Sequence, residues 1–272
     1  MVEVVRNLHY YYKYLVHDLA DKRTDEYLFA SSPWKPIGIF VLYVLIVKKI
    51  LPDFMRHRKA FNLDKIILFY NFTQIVFNAY LLYRAIPFLT SHTPVCAPVD
   101  YSNNPSARLQ LDLCYLYYIL KVYDLLDTMF FILRKRERQV TFLHLYHHAM
   151  MVTFPWIGLR YVAGGNTMYI GVCNTVVHIV MYFYYAITLW NSGTNKTVWW
   201  KKYLTQLQLV QFSLLSIMGF ILLVHPTCTY PKLIVTLGMI QNIYLSYLFG
   251  TFYYKTYVVQ SKKIEIQEKK LV

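Results

Sequence analysis

The sequence predicts an all-α polytopic membrane protein with seven transmembrane helices. The first observation behind this is composition: of 272 residues, 57% are hydrophobic and only 15% are charged, and the mean hydropathy is +0.32. A water-soluble domain of this length would need more charge to cover its surface. The second is that the apolar residues fall in segments close to the roughly 20 residues that a membrane helix needs. Polar loop sequences separate these segments, which is the third observation.

Residues 1–30 precede the first span and lack the short apolar stretch of a cleavable signal peptide. The predicted spans are Pro33–Val47, Leu63–Tyr83, Leu111–Leu133, Val140–Leu159, Met168–Leu189, Leu204–Val224 and Leu233–Tyr254. The first has the shortest apolar core and needs flanking residues to cross the bilayer. Residues 255–272 form a polar tail, and the whole chain, 1–272, is predicted to be a single membrane domain.

Lysine and arginine are concentrated in the loops after spans one, three and five and in the tail. This asymmetry predicts a cytosolic tail and a luminal segment 1–30. It also accounts for the formal net charge of +14 without a nucleic-acid partner.

Several short sequences fit this topology. Cys96 and Cys228 both fall in non-cytosolic loops, where a disulfide persists, and are the disulfide candidates. The ending Lys269-Lys270-Leu271-Val272 looks like a dilysine signal for retrieval to the endoplasmic reticulum, and an ordinary solvated tail is the equal alternative. The glycosylation sequon Asn195-Lys-Thr197 falls in a predicted cytosolic loop.

Four consecutive spans carry a polar stripe on one helical face, within an arc of about 100–120°. The stripes comprise Lys121, Asp124, Asp127 and Thr128 on span three, His144, His147 and His148 on span four, Asn174, His178, Met181, Tyr182 and Tyr185 on span five, and Thr205, Gln208, Gln211 and Phe212 on span six. Ionisable groups at membrane depth are costly and mark functional sites. We therefore expect the stripes to meet in one chamber in the cytosolic half of the bilayer.

Each stripe also has a structural interpretation. A single histidine such as His178 serves equally well as a hydrogen-bond partner between helices. Lys121 and Asp124 can form an intrahelical ion pair, and the carboxylates can simply orient imidazoles.

Two other chemistries are possible for intramembrane residues of this chain, a metal site and a thiol nucleophile. Histidines at i, i+3 and i+4 resemble one box of the membrane di-iron desaturases and hydroxylases, since neutral imidazole suits iron. Four intramembrane histidines suffice for one metal ion but are few for two. A thiol nucleophile is the other rival, but Cys114 lies about two helical turns nearer the lumen than Lys121.

With these residues identified, the chain closely resembles the fatty-acid elongase family over about Ser31 to Tyr254. The resemblance rests on H-x-x-H-H at His144–His148, on N-x-x-V-H-x-x-M-Y-x-Y-Y from Asn174 to Tyr185, and on T-Q-x-Q-x-x-Q-F from Thr205 to Phe212. There is one departure: the family's K-x-x-E-x-x-D-T has Asp124 in place of glutamate. The carboxylate is kept, but its reach is shorter by one methylene.

The resemblance implies a seven-helix protein of the endoplasmic reticulum in which six helices surround an acyl tunnel. It implies a decarboxylative condensation of long-chain acyl-CoA with malonyl-CoA to 3-ketoacyl-CoA, with no metal and no cofactor. The expected partners are the two CoA substrates, the lipid bilayer, other enzymes of the elongation cycle and a second copy of the chain in a homodimer.

The residues can also be assigned to steps of that reaction. A neutral imidazole can accept an acyl group from a thioester, and His147 is the predicted acceptor, with His144 and His148 orienting it or moving protons. The enolate formed from malonyl-CoA needs donors, which His178, Asn174 and Gln208 can supply. The predicted supporting residues are Lys121, Asp124, Asp127, Tyr182 and Gln211.

Overall fold

The computed structural model describes residues 2–190 and 200–259, and within these ranges the chain is helical without a β-strand. These described ranges contain ten α-helices. They are α1 (Val2–Lys13), α2 (Trp34–Leu45), α3 (Leu51–Met55), α4 (Asp64–Ser91), α5 (Pro105–Tyr123), α6 (Leu126–Leu133), α7 (Phe142–Val162), α8 (Asn166–Trp190), α9 (Lys201–Val224) and α10 (Lys232–Tyr253). Wider π-helical turns follow α1, α2 and α10, and a 3₁₀ turn precedes α7.

Local sequence signals set several helix boundaries. Asn104 caps α5 by accepting a hydrogen bond from the backbone N–H of Ala107, and Pro105 occupies the first turn, where its missing N–H costs nothing. Thr141 caps α7 in the same way through the N–H of His144. The histidine box therefore starts in the first turn of its helix.

The turn between α7 and α8 depends on Gly165. This residue has φ +55°, and a Cβ built on it would lie 2.4 Å from the carbonyl oxygen of Ala97. Only glycine fits such a close backbone approach in the left-handed region. The turn brings Asn166 beside the same loop, where its side-chain oxygen accepts from the N–H of Ala97 at 2.6 Å.

Four of the described helices are long and apolar enough to cross a membrane: α4, α8, α9 and α10 with the turn that follows it. Their outward faces carry large apolar side chains that are more than half exposed, such as Phe69, Phe72, Phe220 and Ile240. Such faces suit hydrocarbon rather than water. The chain therefore has the character of a polytopic membrane protein.

The other three predicted spans differ from expectation. The apolar helix α2 has only 12 residues, although helical turns continue it to Met55. Helix α5 contains Arg108, Asp112 and Lys121, and α7 contains Arg160 and the three histidines; these polar residues lower the hydropathy of both helices. The predicted continuous span Leu111–Leu133 is wrong in one respect, because α5 ends at Tyr123 and α6 begins at Leu126. The chain there tightens into turns of i to i+3 type, in which Leu125 N–H bonds to Val122 and Asp127 N–H to Asp124.

The backbone groups into two compact units. The first contains residues 2–63 and 83–171, and in it α5 and α2 pack against α7 while α3 packs against α6. The second contains residues 64–82 and the described part of 172–272, and in it α9 packs against α10. Gly219 lies at this second interface, where Met239 Cβ is only 3.2 Å from the position of an added Cβ. Small residues allow such close approach between membrane helices. The prediction of a single membrane domain stays a prediction.

Candidate active site

The three histidines of α7 form a compact imidazole cluster in the first unit. The ring centroids of His144 and His148 are 4.2 Å apart, and those of His147 and His148 are 5.6 Å apart at an interplanar angle of 87°. His148 is buried, and the other two are half-buried. The i, i+3, i+4 spacing thus brings the three rings together, as the sequence predicts.

A chain of hydroxyl groups holds His144. Its Nε2 lies 2.8 Å from Thr128 Oγ1, and Thr128 Oγ1 lies 2.8 Å from the hydroxyl of Tyr43 on α2. Thr128 is completely buried, and Phe131 packs on the His144 ring at a centroid distance of 5.2 Å. These contacts fix the ring orientation of His144, which suits a positioning role better than attack on a substrate.

Lys121 and Asp124 form a buried ion pair at the end of α5. Lys121 Nζ donates to Asp124 Oδ2 at 2.8 Å, and the two side chains are 0% and 3% exposed. The ammonium also lies 5.0 Å from the ring centroid of Tyr117, a cation–π distance. Removing one partner of such a pair leaves an uncompensated charge, which costs about 3–5 kcal/mol. The 2.8 Å contact shows that Asp124, although shorter than the family's glutamate, still reaches Lys121. Asp127 lies half-buried one turn further on.

In the second unit, α8 carries a buried row made of Asn174, His178 and Tyr182. Their exposed fractions are 5%, 5% and 0%. The rings of His178 and Tyr182 are in edge contact at 5.7 Å, and Tyr185 makes a similar contact with Tyr182 at 5.9 Å. Asn174, His178 and Tyr182 therefore form one buried face, with Val176 and Phe183 exposed on the other side. Tyr185 of the predicted stripe is 38% exposed.

Helix α9 contributes three predicted residues to the same unit. Gln211 and Thr205 are buried, while Gln208 is half-buried with its Nε2 3.8 Å from the sulfur of Met181. Contacts to a thioether are weak, so Gln208 can exchange this contact for a stronger acceptor. Gln206 instead donates to the hydroxyl of Tyr253 on α10 at 2.7 Å.

Sequence reasoning missed a polar row on α4. Tyr70, Asn71, Gln74 and Asn78 are at most 2% exposed, in a helix whose opposite face is apolar. Gln74 Nε2 donates to the Tyr70 hydroxyl at 2.9 Å, and this hydroxyl lies 3.3 Å from that of Tyr182. The row thus links α4 to the α8 row. The i, i+4, i+8 spacing of Tyr70, Gln74 and Asn78 is the signal that identifies it.

The cysteines divide into two classes. Cys96 and Cys228 are disulfide-bonded, whereas Cys114 and Cys173 are free thiols. Cys114 is buried with its sulfur 3.9 Å from that of Met168 at the start of α8. The predicted sequon at Asn195, the lysines of the tail end and most of residues 255–272 lie outside the described residues.

No group of three or more His, Cys, Asp or Glu side chains in residues 2–190 and 200–259 has the arrangement of a metal site. The desaturase alternative needs such groups, so the geometry of the described side chains does not favour it.

Comparison with known proteins identifies the family. Residues 28–265 match the GNS1/SUR4 family. The chain belongs to the fatty-acid elongase family. It is 38% identical over 267 residues to a very long chain fatty acid elongase of Aedes aegypti, covering 97% of this chain and 73% of the relative. It is 37% identical over 251 residues to elongase 7 of Drosophila melanogaster, covering 92% and 76% of the two chains. It is 36% identical over 241 residues to human elongase 4, covering 88% and 76%.

Family membership assigns the polar rows on α4 and α8 and the histidine cluster on α7 to one enzyme. The resemblance predicted from the histidine box and the two later elements is confirmed by this family match. The roles of the individual residues, and the predicted meeting of all four stripes in one chamber, stay predictions.

Proposed function

We propose that this elongase family member condenses a long-chain acyl-CoA with malonyl-CoA to give a 3-ketoacyl-CoA two carbons longer. The observation that carries the proposal is the match of residues 28–265 to the family together with relatives named very long chain fatty acid elongases. The buried imidazole cluster supplies chemistry that such a reaction needs. Seven spans around an acyl tunnel, in the endoplasmic reticulum membrane with the N-terminus luminal and the C-terminus cytosolic, complete the proposal.

In the first half-reaction, an imidazole nitrogen of His147 attacks the thioester carbonyl carbon. The N–acyl bond forms, the C–S bond breaks, and CoA leaves with a proton. His147, the middle residue of the box, is assigned to carry the acyl group. His144, which is held by Thr128, and His148, which packs against both other rings, orient it or move protons. Burial keeps an imidazole neutral and therefore nucleophilic.

In the second half-reaction, malonyl-CoA loses carbon dioxide and the electron pair of the broken C–C bond becomes an enolate. The enolate carbon attacks the acyl carbon on His147, a new C–C bond forms, and the N–acyl bond breaks. The departing imidazole nitrogen takes up one proton from water, passed on by His144 or His148, which restores the neutral imidazole. Donors placed in advance stabilise the enolate oxygen, and His178, Asn174 and Gln208 are assigned this task. Lys121, Asp124, Asp127, Tyr182 and Gln211 support the two sets of groups.

The reaction as written balances without a metal or another cofactor, and the CoA esters are its substrates. The lipid bilayer, the other enzymes of the elongation cycle and a second copy of the chain remain the proposed partners.

Microsomes from cells expressing the chain test the proposal. With long-chain acyl-CoA and radiolabelled malonyl-CoA, we expect labelled 3-ketoacyl product from the native chain and from His57→Ala, whose exposed histidine lies outside the site. His147→Ala at equal expression is expected to lose at least about a hundredfold in rate, the scale of losing a nucleophile. Native activity that persists in His147→Ala, or a native chain that incorporates no malonyl carbon, contradicts the proposal.

A further inference from the structure

The N-terminal helix α1 has an apolar face and a polar face, and the side chains of both are exposed. Its large apolar residues Val4, Val5, Leu8 and Tyr11 are 60–65% exposed. With Tyr12 they share an arc of about 120° at 100° per residue. Arg6, His9 and Lys13 lie on the opposite side. A helix of this kind places its apolar face in a membrane interface.

The end of this helical segment is fixed to helix α7. The hydroxyl of Tyr161 donates to the carbonyl oxygen of Leu15 at 3.0 Å, and Arg160 Nη2 donates to that of Val16 at 3.0 Å. Arg160 is 1% exposed and forms a further ion pair with Asp25 at 2.6 Å. These contacts therefore fix the position of α1, and of its apolar face, relative to the end of α7.

The contact between this segment and α7 lies at the same level as the ends of helices that are long enough to cross a membrane. Arg160 and Tyr161 precede the end of α7 at Val162, and α8 begins four residues later at Asn166. Asn166 in turn donates to the carbonyl oxygen of Pro94, just beyond the end of α4 at Ser91. Since α4 and α8 are long and apolar enough to span, α1 leaves the body at a membrane boundary.

Aromatic side chains around α1 fit the same location. Trp34, at the start of α2, donates its indole N–H to the hydroxyl of Tyr12 at 3.1 Å and is itself 64% exposed. Tyr10 of α1 stacks on Tyr14 in the turn that follows this helix, with ring centroids 6.4 Å apart. Tryptophan and tyrosine are enriched where hydrocarbon meets the headgroups, because their rings are apolar and their N–H or O–H groups are polar.

We infer that α1 lies in the interface of the bilayer that α4 and α8 cross, with Leu8 and its neighbours in the lipid. In residues 2–18, Glu3 and Asp18 balance Arg6 and Lys13 in charge. Binding therefore depends on apolar area rather than on anionic lipid, and phosphatidylcholine is sufficient. The apolar face enters about 5–10 Å into the boundary between headgroups and acyl chains.

Site-specific fluorescence in the full chain tests this inference. Leu8→Cys and Arg6→Cys are made separately in a Cys114→Ala/Cys173→Ala background, labelled with bimane and reconstituted in phosphatidylcholine nanodiscs. Arg6 is the matched control because it lies two residues away and about 160° round the helix. Mass spectrometry verifies one label per chain.

We expect a phosphatidylcholine with a nitroxide near the headgroup end of its acyl chain to quench the label at position 8 more strongly than at position 6. Aqueous iodide should quench position 8 at least about threefold less than position 6. Equal quenching by iodide at both positions overturns the inference. A label at position 8 that is shielded from iodide and from the lipid nitroxide also overturns it, since protein rather than lipid then covers this face.

Discussion

Thr128 shows how one buried side chain organises the candidate site. Its Oγ1 lies 2.8 Å from both His144 Nε2 and the hydroxyl of Tyr43, so three helices, α2, α6 and α7, meet at one oxygen. The Lys121–Asp124 pair is organised in the same way, with both charges removed from solvent. At this scale the polar groups of the site stabilise the fold and position reacting groups at the same time.

Replacing Thr128 with valine tests its positioning role. Valine keeps the shape but removes the hydroxyl, which leaves His144 and Tyr43 without this partner at a cost of about 1–3 kcal/mol. We expect kcat to fall about tenfold with KM nearly unchanged, because the affected ring serves the reaction rather than substrate binding. Thr128→Ser keeps the hydroxyl and is expected to retain most of the activity. Equal kcat values for the valine and serine variants would show that the hydroxyl does not position the site.

Asp124 tests the one departure from the family pattern. Asp124→Asn removes the carboxylate that lies 2.8 Å from the buried Lys121 ammonium, so we expect the free energy of unfolding to fall by about 3–5 kcal/mol. Asp124→Glu restores the family's side chain and keeps the charge, and should cost much less. Thermal unfolding of purified protein in detergent compares the two. A glutamate variant as unstable as the asparagine variant would mean that side-chain length, not charge, governs this position.

At the scale of elements, the structure agrees with the sequence where helical period and apolar length suffice. The i, i+3, i+4 spacing of the histidines and the row of Asn174, His178 and Tyr182 both follow from the period of about 3.6 residues. The helix break after Tyr123 could not be predicted, because neither glycine nor proline marks it. The polar row on α4 was not predicted although its amides are spaced for one face, because Gln74 and Asn78 stand in an apolar stretch without a charged residue or histidine to mark a site.

The turn between α7 and α8 gives a prediction for an element boundary. Gly165→Ala places a methyl group against the carbonyl oxygen of Ala97 and forces an alanine to a positive φ, so we expect a loss of at least about 2 kcal/mol in stability. Gly171→Ala is the matched control, because nothing lies within 4 Å of its added Cβ and alanine favours a helix. Melting temperatures in the same detergent give the comparison. Equal values for the two variants would contradict the assigned role of the turn.

Outside the spans, a buried ion pair fixes the segment that follows α1. The hydrogen bonds that Asp21 accepts from the Arg23 guanidinium raise the pKa of Arg23, whose Nη2 lies 2.7 Å from Asp21 Oδ2. Arg23 also donates to the carbonyl oxygen of Ser102 at 2.6 Å. This cation therefore stays charged and ties the N-terminal segment to the loop before α5.

At the scale of the whole molecule, the described chain has polar groups on inward helix faces and large apolar groups on outward ones. Phe69, Phe220 and Ile240 illustrate the outward faces, and Gln74, His178 and Gln211 the inward ones. The sequence predicts this arrangement because hydrocarbon accepts apolar side chains while buried polar groups need partners. Composition could not predict the grouping into two units, since this depends on which helices contact one another.

The oxidation state of the four cysteines can be tested on the whole protein. Cys96 and Cys228 are disulfide-bonded, and we expect non-reducing mass spectrometry of the purified chain to find one peptide pair joining them. Cys114 and Cys173 should alkylate only after unfolding or slowly, because they lie within helices and Cys114 is buried. Free thiols at positions 96 and 228 in protein prepared without reductant would contradict the predicted luminal location of their loops, where oxidation is favoured.

In the proposed function, the α7 histidine cluster accepts the acyl group and the α8 row stabilises the enolate in the following step. The most direct test is mass spectrometry of the purified protein after incubation with long-chain acyl-CoA alone. We expect a peptide containing His147 to gain the mass of the acyl group in the native chain and in His178→Ala, but not in His147→Ala. On adding malonyl-CoA, only the native chain should lose this mass and release 3-ketoacyl-CoA. Acylation that persists in His147→Ala, or rapid product formation by His178→Ala, would contradict the account.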